Sequence, residues 1–384
     1  MRETGRKEQR KEKQKEKRNE KSIPYFDYNL LFIVIFLVGF GMVMLYSSSS
    51  YVAANKFGDA AHFLKLQLRN AGIGFVGMLF LTFADYRWWK RFGVLAYLGS
   101  CALCCLTFVP AFQVSANGST RWIKLGPITF QPSEIAKIGL IIFMAMILEK
   151  TAKKLTKNIN LIKVIMLLVP IVLLVAIKNL STAIILFGIG VCMIFVACKK
   201  YIPFIAVGGL GAALVVVFSL SNYRSDRINA WLHPETAGNS GYQTLQGLYA
   251  IGSGGFFGKG LGQSLQKMGN VPEAQNDMIF TIICEELGLF GGICVILLFM
   301  LLIWRMMIIA NNAQDLFGAL LVVGVMSHVA IQVILNIAVV TNSIPNTGVI
   351  LPFISYGGTS FAFLMAEMGL VLSVSRGIRL ETIK

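Results

Sequence analysis

The chain has 384 residues, 55% of them hydrophobic and only 14% charged, with a net charge of +16. A soluble domain carries about 25% charged residues, so this composition excludes a water-soluble globular fold and makes lipid the solvent for most of the chain. The seven cysteines (Cys101, Cys104, Cys105, Cys192, Cys198, Cys284, Cys294) lie in or beside apolar runs and read as small packing residues, not as a disulfide or zinc framework.

Residues 1–24 form a basic tail. Lys and Arg alternate with Glu between Arg2 and Lys21, without apolar residues, which predicts disorder. Such a tail is drawn to an anionic cytoplasmic leaflet rather than to nucleic acid. It is too long and too mixed in charge for a cleaved signal peptide, so the first apolar run is a permanent span.

Spanning a bilayer takes about 20 apolar residues. Runs at 30–46, 63–84, 94–109, 135–148, 161–177, 180–197, 202–220, 278–303, 317–340 and 348–374 predict an all-α, polytopic membrane bundle of about ten transmembrane helices. Basic residues of the short loops (Arg87, Lys90, Arg91; Lys150, Lys153, Lys154, Lys157; Lys199, Lys200; Arg305; Arg376, Arg379) fall on the side of the basic tail. The positive-inside rule then puts both termini in the cytoplasm, with Lys65 and Arg69 running against the pattern. The membrane domain covers 25–377, a large extracytoplasmic loop covers 221–276, and 378–384 is a cytoplasmic tail.

Four constellations stand out in chain order. Residues 110–133 are a second outer loop, carrying Asn117-Gly-Ser-Thr-Arg121-Trp122 and leading into Gln131-Pro-Ser-Glu134-Ile-Ala-Lys137. Pro132 and Ser133 suit a helix start. Glu134 and Lys137 then share one helical face near the membrane boundary. Ionisable groups there either pin a helix as an ion pair or line a cavity for a charged substrate.

The large loop holds Arg224, Arg227, Lys259 and Lys267, whose charge suits phosphate. Its Gly-rich run from Gly252 to Gly262 permits close backbone approach but lacks P-loop spacing. Val271-Pro-Glu273-Ala-Gln-Asn-Asp277 follows, with Glu285 and Glu286 beyond. Asp277 reads either as a helix-capping acid or as a general base at the membrane–water boundary. Last come Gln332, Asn336 and the Pro- and Gly-broken run Asn346-Thr-Gly348 to Pro352-Phe-Ile-Ser355-Tyr-Gly357-Gly358. Such breaks either line cavities or mark close helix packing.

Taken together, Arg121-Trp122, Gln131-Pro-Ser-Glu134-Ile-Ala-Lys137, Gly241-Tyr-Gln243, Gly258-Lys-Gly-Leu-Gly-Gln-Ser264, Pro272-Glu273 through Asp277, Glu285-Glu-Leu-Gly288 and Leu351-Pro-Phe-Ile-Ser-Tyr-Gly-Gly358 resemble the SEDS family of shape, elongation, division and sporulation proteins, to which FtsW, RodA and SpoVE belong. The resemblance runs from the first span to the last. It implies a peptidoglycan glycosyltransferase that polymerises lipid II outside the bacterial cytoplasmic membrane, in division or cell-shape control. A lipid II flippase and a non-catalytic scaffold recruiting a class B penicillin-binding transpeptidase are the alternatives.

By the same resemblance Asp277 is catalytic and deprotonates the acceptor sugar's 4-hydroxyl, and Arg121, Glu134, Lys137, Arg224, Gln243, Lys259 and Ser355 are substrate-binding. The implied partners are lipid II, a class B penicillin-binding protein and other division or elongation proteins. A divalent cation, magnesium or manganese, is also implied, yet the sequence shows no recognisable metal cage. Three departures qualify the match. Lys178-Asn179-Leu-Ser-Thr182 replaces a family Pro-Asp motif, so Asn179 receives no catalytic role. Met278 replaces a usual Phe. Thr341 to Asn346 is more polar than the family norm. The charged tail and the Asn-Leu-Ser-Thr stretch resemble FtsW or SpoVE more than RodA.

Overall fold

The computed structural model describes residues 22–116, 119–126, 128–155, 158–198 and 222–381. The expected basic tail through residue 21, the expected span at 202–220, Asn117, Lys157, Lys199, Lys200 and the side chain of Arg224 lie outside the described residues.

Helix α1 (Tyr28–Phe57) starts where Asp27 accepts from the Leu30 amide at 2.8 Å, and ends at Gly58, whose φ of 70° stops the helix. Its 30 residues reach about 45 Å, longer than a hydrocarbon core of about 30 Å. Then follow α2 (His62–Phe83), a single helical turn at Tyr86–Trp89, α3 (Gly93–Leu106), α4 (Pro132–Thr151), α5 (Asn158–Met166), α6 (Val169–Lys178), α7 (Leu180–Ala197), α8 (Asn222–Leu232), α9 (Gly238–Ser253), α10 (Ile279–Asn311), α11 (Leu316–Val340) and α12 (Thr359–Gly377).

Seven stretches among the described residues are long and apolar enough to cross a membrane: α1, α2, α5 with α6, α7, α10, α11 and α12. Eight of the nine expected spans on described residues coincide with helix, 161–177 with the pair α5 and α6, and the ninth, 348–374, is helical only from Thr359. With 14 residues, α3 is short for a crossing, and α4 carries Glu134, Lys137, Glu149 and Lys150.

Two expectations gain detail and one is corrected. The outer stretch 110–133 contains an antiparallel sheet, β2 (Gln113–Ala116), β3 (Ser119–Leu125) and β4 (Ile128–Phe130), pairing Val114 with Trp122 and Ile123 with Phe130. The stretch 221–276 holds α8 and α9 besides its irregular part. The last span begins at Thr359, because Pro345, Pro352 and the positive φ angles of Gly348, Phe353 and Gly358 keep residues 343–358 out of a helix.

Strand β1 (Ser22–Pro24) pairs antiparallel with β5 (Arg379–Glu381), so the first and last described residues lie together at one face of the bundle. That face also carries the ion pairs Arg87–Asp315 (2.9 Å), Lys90–Glu149 (2.6 Å) and Arg305–Asp27 (2.7 Å). Arg87, Lys90 and Arg305, expected on one side, are thus each held by an ion pair at that face. In the interior, α2 and α12 approach through glycines: a Cβ on Gly369 would lie 2.5 Å from the Met78 carbonyl, and one on Gly74 would lie 3.1 Å from the Ala362 backbone. A methyl at Gly369 would force a shift against the Met78 backbone, and one at Gly74 would crowd Ala362 and Met365.

Candidate functional site

The site lies at the end of the bundle opposite β1 and β5, where α10 begins. Asp277 is only 8% exposed. Burial pushes its carboxyl from 3.8 up to about 7; Glu273 adds to the rise, while the residue's own backbone hydrogen bond and the Arg227 guanidinium oppose it. The capping alternative is not adopted: Met278 holds the cap position and no side chain caps this helix. The carboxyl instead faces Gly348, where a Cβ would lie 3.9 Å from Oδ2. Just upstream, Glu273 sits at φ 54°, a backbone strain of the kind that gathers at functional sites, and its carboxylate accepts from Asn276 Nδ2.

The non-helical segment 343–358 is fastened around Asp277 by polar side chains. Asn336 Nδ2, on α11, donates to the carbonyls of Asp277 (2.8 Å) and Val349 (2.7 Å). Arg227, on α8, donates to the Asn346 carbonyl at 3.2 Å. Asn346 Nδ2 donates to Gln243 Oε1 at 3.1 Å, and Gln243 Nε2 reaches the Pro272 carbonyl at 3.3 Å. Ser181, at the start of α7, donates to the Thr347 carbonyl at 2.9 Å. Gln243 is therefore tied to the segment facing Asp277 through Asn346, and to the approach to Asp277 through Pro272. Arg227, not among the expected substrate-binding residues, joins them here; its sequence signal is its position one helical turn after Arg224 on α8.

Glu134 and Lys137 form the expected pair at 2.9 Å, almost wholly buried. The pair is part of a larger cluster that spacing did not reveal. Lys137 Nζ lies 2.9 Å from His328 Nε2, and His328 Nδ1 lies 2.6 Å from Glu367 Oε2. His328 and Glu367 are 39 residues apart, each alone in an apolar run. The one sequence signal was the expense of any ionisable group within a span. Glu134, His328, Gln332 and Ser355 line a cavity of about 10 Å³. The hydroxyl of Ser355 accepts from the Leu351 amide at 2.9 Å, closing the turn around Pro352.

Arg121, on β3, lines a second cavity of about 20 Å³ with Gln131, Ser133, Lys178 and Asn179. Lys178 donates to Thr120 Oγ1 at 3.0 Å and lies over the Phe108 ring. Asn179 caps α7, accepting from the Thr182 amide at 3.2 Å. Ligand pockets run to several hundred Å³, so neither cavity admits a sugar ring in this conformation.

Lys259 is placed elsewhere than expected. Its ammonium is held by Glu285 at 2.7 Å and Ser253 at 2.9 Å. Lys267 is likewise paired with Glu286 at 2.7 Å, and Ser47 of α1 donates to the same carboxylate. Both glutamates are fully buried. The close approach made possible by the Gly-rich run is to the chain itself. Helix α10 breaks at Gly288 (φ 70°, ψ −171°), and Leu289 and Phe290 amides donate to the Gly255 and Phe256 carbonyls. A Cβ on Gly258 would lie 2.2 Å from the Glu286 carbonyl. Glu285 is eight residues past Asp277, about 12 Å along the helix, so this latch supports the site from below.

Among the described residues no group of three or more His, Cys, Asp and Glu side chains is arranged to hold a metal ion. Asp277 and Glu273 supply two carboxylates without a third ligand, so no step is assigned to a cation.

Comparison with known proteins supplies the context. The family model for the cell cycle proteins FtsW, RodA and SpoVE matches residues 28–380. Stage V sporulation protein E of Bacillus subtilis is 40% identical over 354 residues, covering 91% of this chain and 97% of its own. A probable peptidoglycan glycosyltransferase FtsW of Geobacter sp. strain M18 is 38% identical, covering 94% and 99%. Among solved structures, one describing coordination of polymerization and crosslinking by a peptidoglycan synthase complex superposes with a TM-score of 0.74 at 27% identity, covering 91% and 98%. The rod shape determining protein RodA of Thermus thermophilus gives 0.66 at 26%, covering 91% and 97%.

Proposed function

The chain belongs to the FtsW/RodA/SpoVE family of cell cycle proteins, and from that premise we propose that it is a multi-pass membrane peptidoglycan glycosyltransferase in which Asp277 is the general base. The substrate is lipid II, as donor and acceptor. The Asp277 carboxylate takes the proton of the acceptor's 4-hydroxyl, whose oxygen attacks the donor's anomeric carbon. The bond to the undecaprenyl pyrophosphate breaks, its electron pair leaves with the diphosphate, and the anomeric centre inverts.

One observation carries this reading: a carboxyl 8% exposed, raised to about 7, facing backbone without a side chain at Gly348. A base with that affinity for protons is half ionised near neutrality and strong enough to assist attack. Arg227 beside it, with Arg121 and Arg224, would counter the charge of the leaving diphosphate. Gln243 orients the segment around the acceptor. Glu134, Lys137 and Ser355 act through the packing of that segment. Lys259, spent on Glu285, serves the latch.

The meeting of the first and last described residues with the Arg87, Lys90 and Arg305 ion pairs supports a cytoplasmic location for that face and an extracytoplasmic one for Asp277. The coverage shared with a peptidoglycan synthase complex structure supports a partner that crosslinks, a class B penicillin-binding transpeptidase. The identity to stage V sporulation protein E and FtsW relatives supports a role in division or sporulation over elongation.

A second reading, lipid II flipping, is favoured by the intramembrane Glu134–Lys137–His328–Glu367 cluster. The test is purified protein with its cognate transpeptidase and fluorescent lipid II in detergent. Glycan strands from wild type and none from Asp277→Asn support the polymerase. Undiminished strands from Asp277→Asn sink the assignment of the base. Detergent removes sidedness, so a flippase alone yields no strands.

A further inference from the structure

Lys178 ends α6, and among the described residues no carboxylate is paired with it. Its ammonium is half-buried, donates to the neutral Thr120 hydroxyl at 3.0 Å and lies 5.0 Å from the centre of the Phe108 ring. Lys65, Lys90, Lys137, Lys259 and Lys267 each hold an acid instead. A cation withdrawn from water without an acid beside it is a ready partner for an anion from outside.

Lys178 shares the cavity of about 20 Å³ with a second cation, Arg121. Ser133 adds a donor there: it is 5% exposed, and its oxygen accepts from Gln131 Nε2 at 2.8 Å, which leaves its own proton to give. One turn back along α6, Leu174 and Val175 complete the lining. An anion held here rests against apolar surface, as a diphosphate carried on a lipid tail does. The volume takes one phosphoryl oxygen; a whole diphosphate requires Lys178 to swing off Thr120.

Three residues past Lys178, Ser181 donates to the Thr347 carbonyl, and the next residue, Gly348, faces the Asp277 carboxyl. The cavity is thus joined to the base, yet set back from it by the start of α7 and the 347–348 backbone. Inversion at the anomeric carbon asks for that separation. The leaving diphosphate lies across the carbon from the attacking oxygen, and therefore from the base that takes its proton.

We propose that Lys178, with Arg121, binds the lipid-linked diphosphate of the donor and receives its charge as it leaves. This deepens the glycosyltransferase reading and rests on it. Lys178 stands in the stretch that replaces the family Pro-Asp motif, so the contact belongs to this chain's own sequence.

The experiment is inhibition of strand synthesis by added undecaprenyl diphosphate, the leaving group itself, in the detergent-purified complex, with melting temperatures recorded for every variant. Lys178→Gln keeps a donor for Thr120 and removes the charge. It should raise the Ki for undecaprenyl diphosphate and lower kcat/KM, each by roughly tenfold, the worth of one charged hydrogen bond. The Ki for undecaprenyl monophosphate should change less, and Lys178→Arg should restore most of both losses.

An unchanged Ki for undecaprenyl diphosphate in Lys178→Gln overturns the proposal, whatever happens to the rate. So does a rate loss that follows the melting temperature and is not recovered by Lys178→Arg, the mark of a merely structural role. Phosphatidylglycerol carries the same phosphate chemistry. If Lys178→Gln abolishes the response of the rate to that lipid and leaves the Ki for undecaprenyl diphosphate alone, the cavity holds a phospholipid headgroup and the donor assignment falls. Failure of the base assignment reads out separately, as strand synthesis by Asp277→Asn.

Discussion

Replacing Asp277 with Asn should make the protein inactive and more stable, and the gain should depend on pH. Burial lifts the carboxyl from 3.8 to about 7. That is a shift of roughly three units, or about 4 kcal/mol at ~1.36 kcal/mol per unit. Because the folded value is the higher one, the ionised carboxylate opposes folding, and the full penalty is present above about pH 7. Between about 7 and 4 the folded group holds its proton while the unfolded chain's does not, so the penalty shrinks as the pH falls. Asn carries no such penalty. Asp277→Asn is therefore expected to gain about 4 kcal/mol at pH 8 and roughly 2 kcal/mol at pH 5. The assay is thermal melting of the detergent-purified protein, followed by tryptophan fluorescence at both pH values. A gain of equal size at pH 5 and 8, or a loss at pH 8, refutes the claim that desolvation sets this carboxyl.

Other perturbations follow from the same contacts. Lys137→Met leaves Glu134 buried beside His328 without its cation and should cost about 3–5 kcal/mol; a Glu134→Gln, Lys137→Met double variant should recover most of the lost melting temperature. The neighbours of Asp277 should move the acid limb of the rate in opposite directions: Arg227→Gln upward, since a cation favours the carboxylate, and Glu273→Gln downward. Gly258→Ala places a methyl 2.2 Å from the Glu286 carbonyl at a φ of 80° and should loosen the latch; a melting temperature unchanged from wild type would contradict the packing described.

The bundle was legible because a bilayer demands long apolar runs, and eight of those runs, with the later part of a ninth, are helix. What escaped was set by contacts distant in sequence. The strands at 113–130 are three to seven residues long and carry no apolar alternation clear enough to mark them. Asp277 and Gln243 stand out in the sequence through the motifs around them. The role of Arg227 is hidden in the sequence because a basic residue gives no hint of which loop backbone it will grip. Lys259 was misplaced for the converse reason: its partner Glu285 is 26 residues away, beyond a helix start. His328 and Glu367 look like isolated polar residues in α11 and α12, and only the packing of α4 between those helices joins them to Lys137.

The central claim, that a buried Asp277 acts as the base, meets its most direct test in kcat/KM for strand synthesis by the wild-type complex between pH 5 and 8. An acid limb with an apparent pKa near 7 is predicted, matching the raised carboxyl. A limb near 4 would mean a solvated carboxylate, and a rate flat down to pH 5 would mean that Asp277 takes no proton in the rate-determining step; either result contradicts the account.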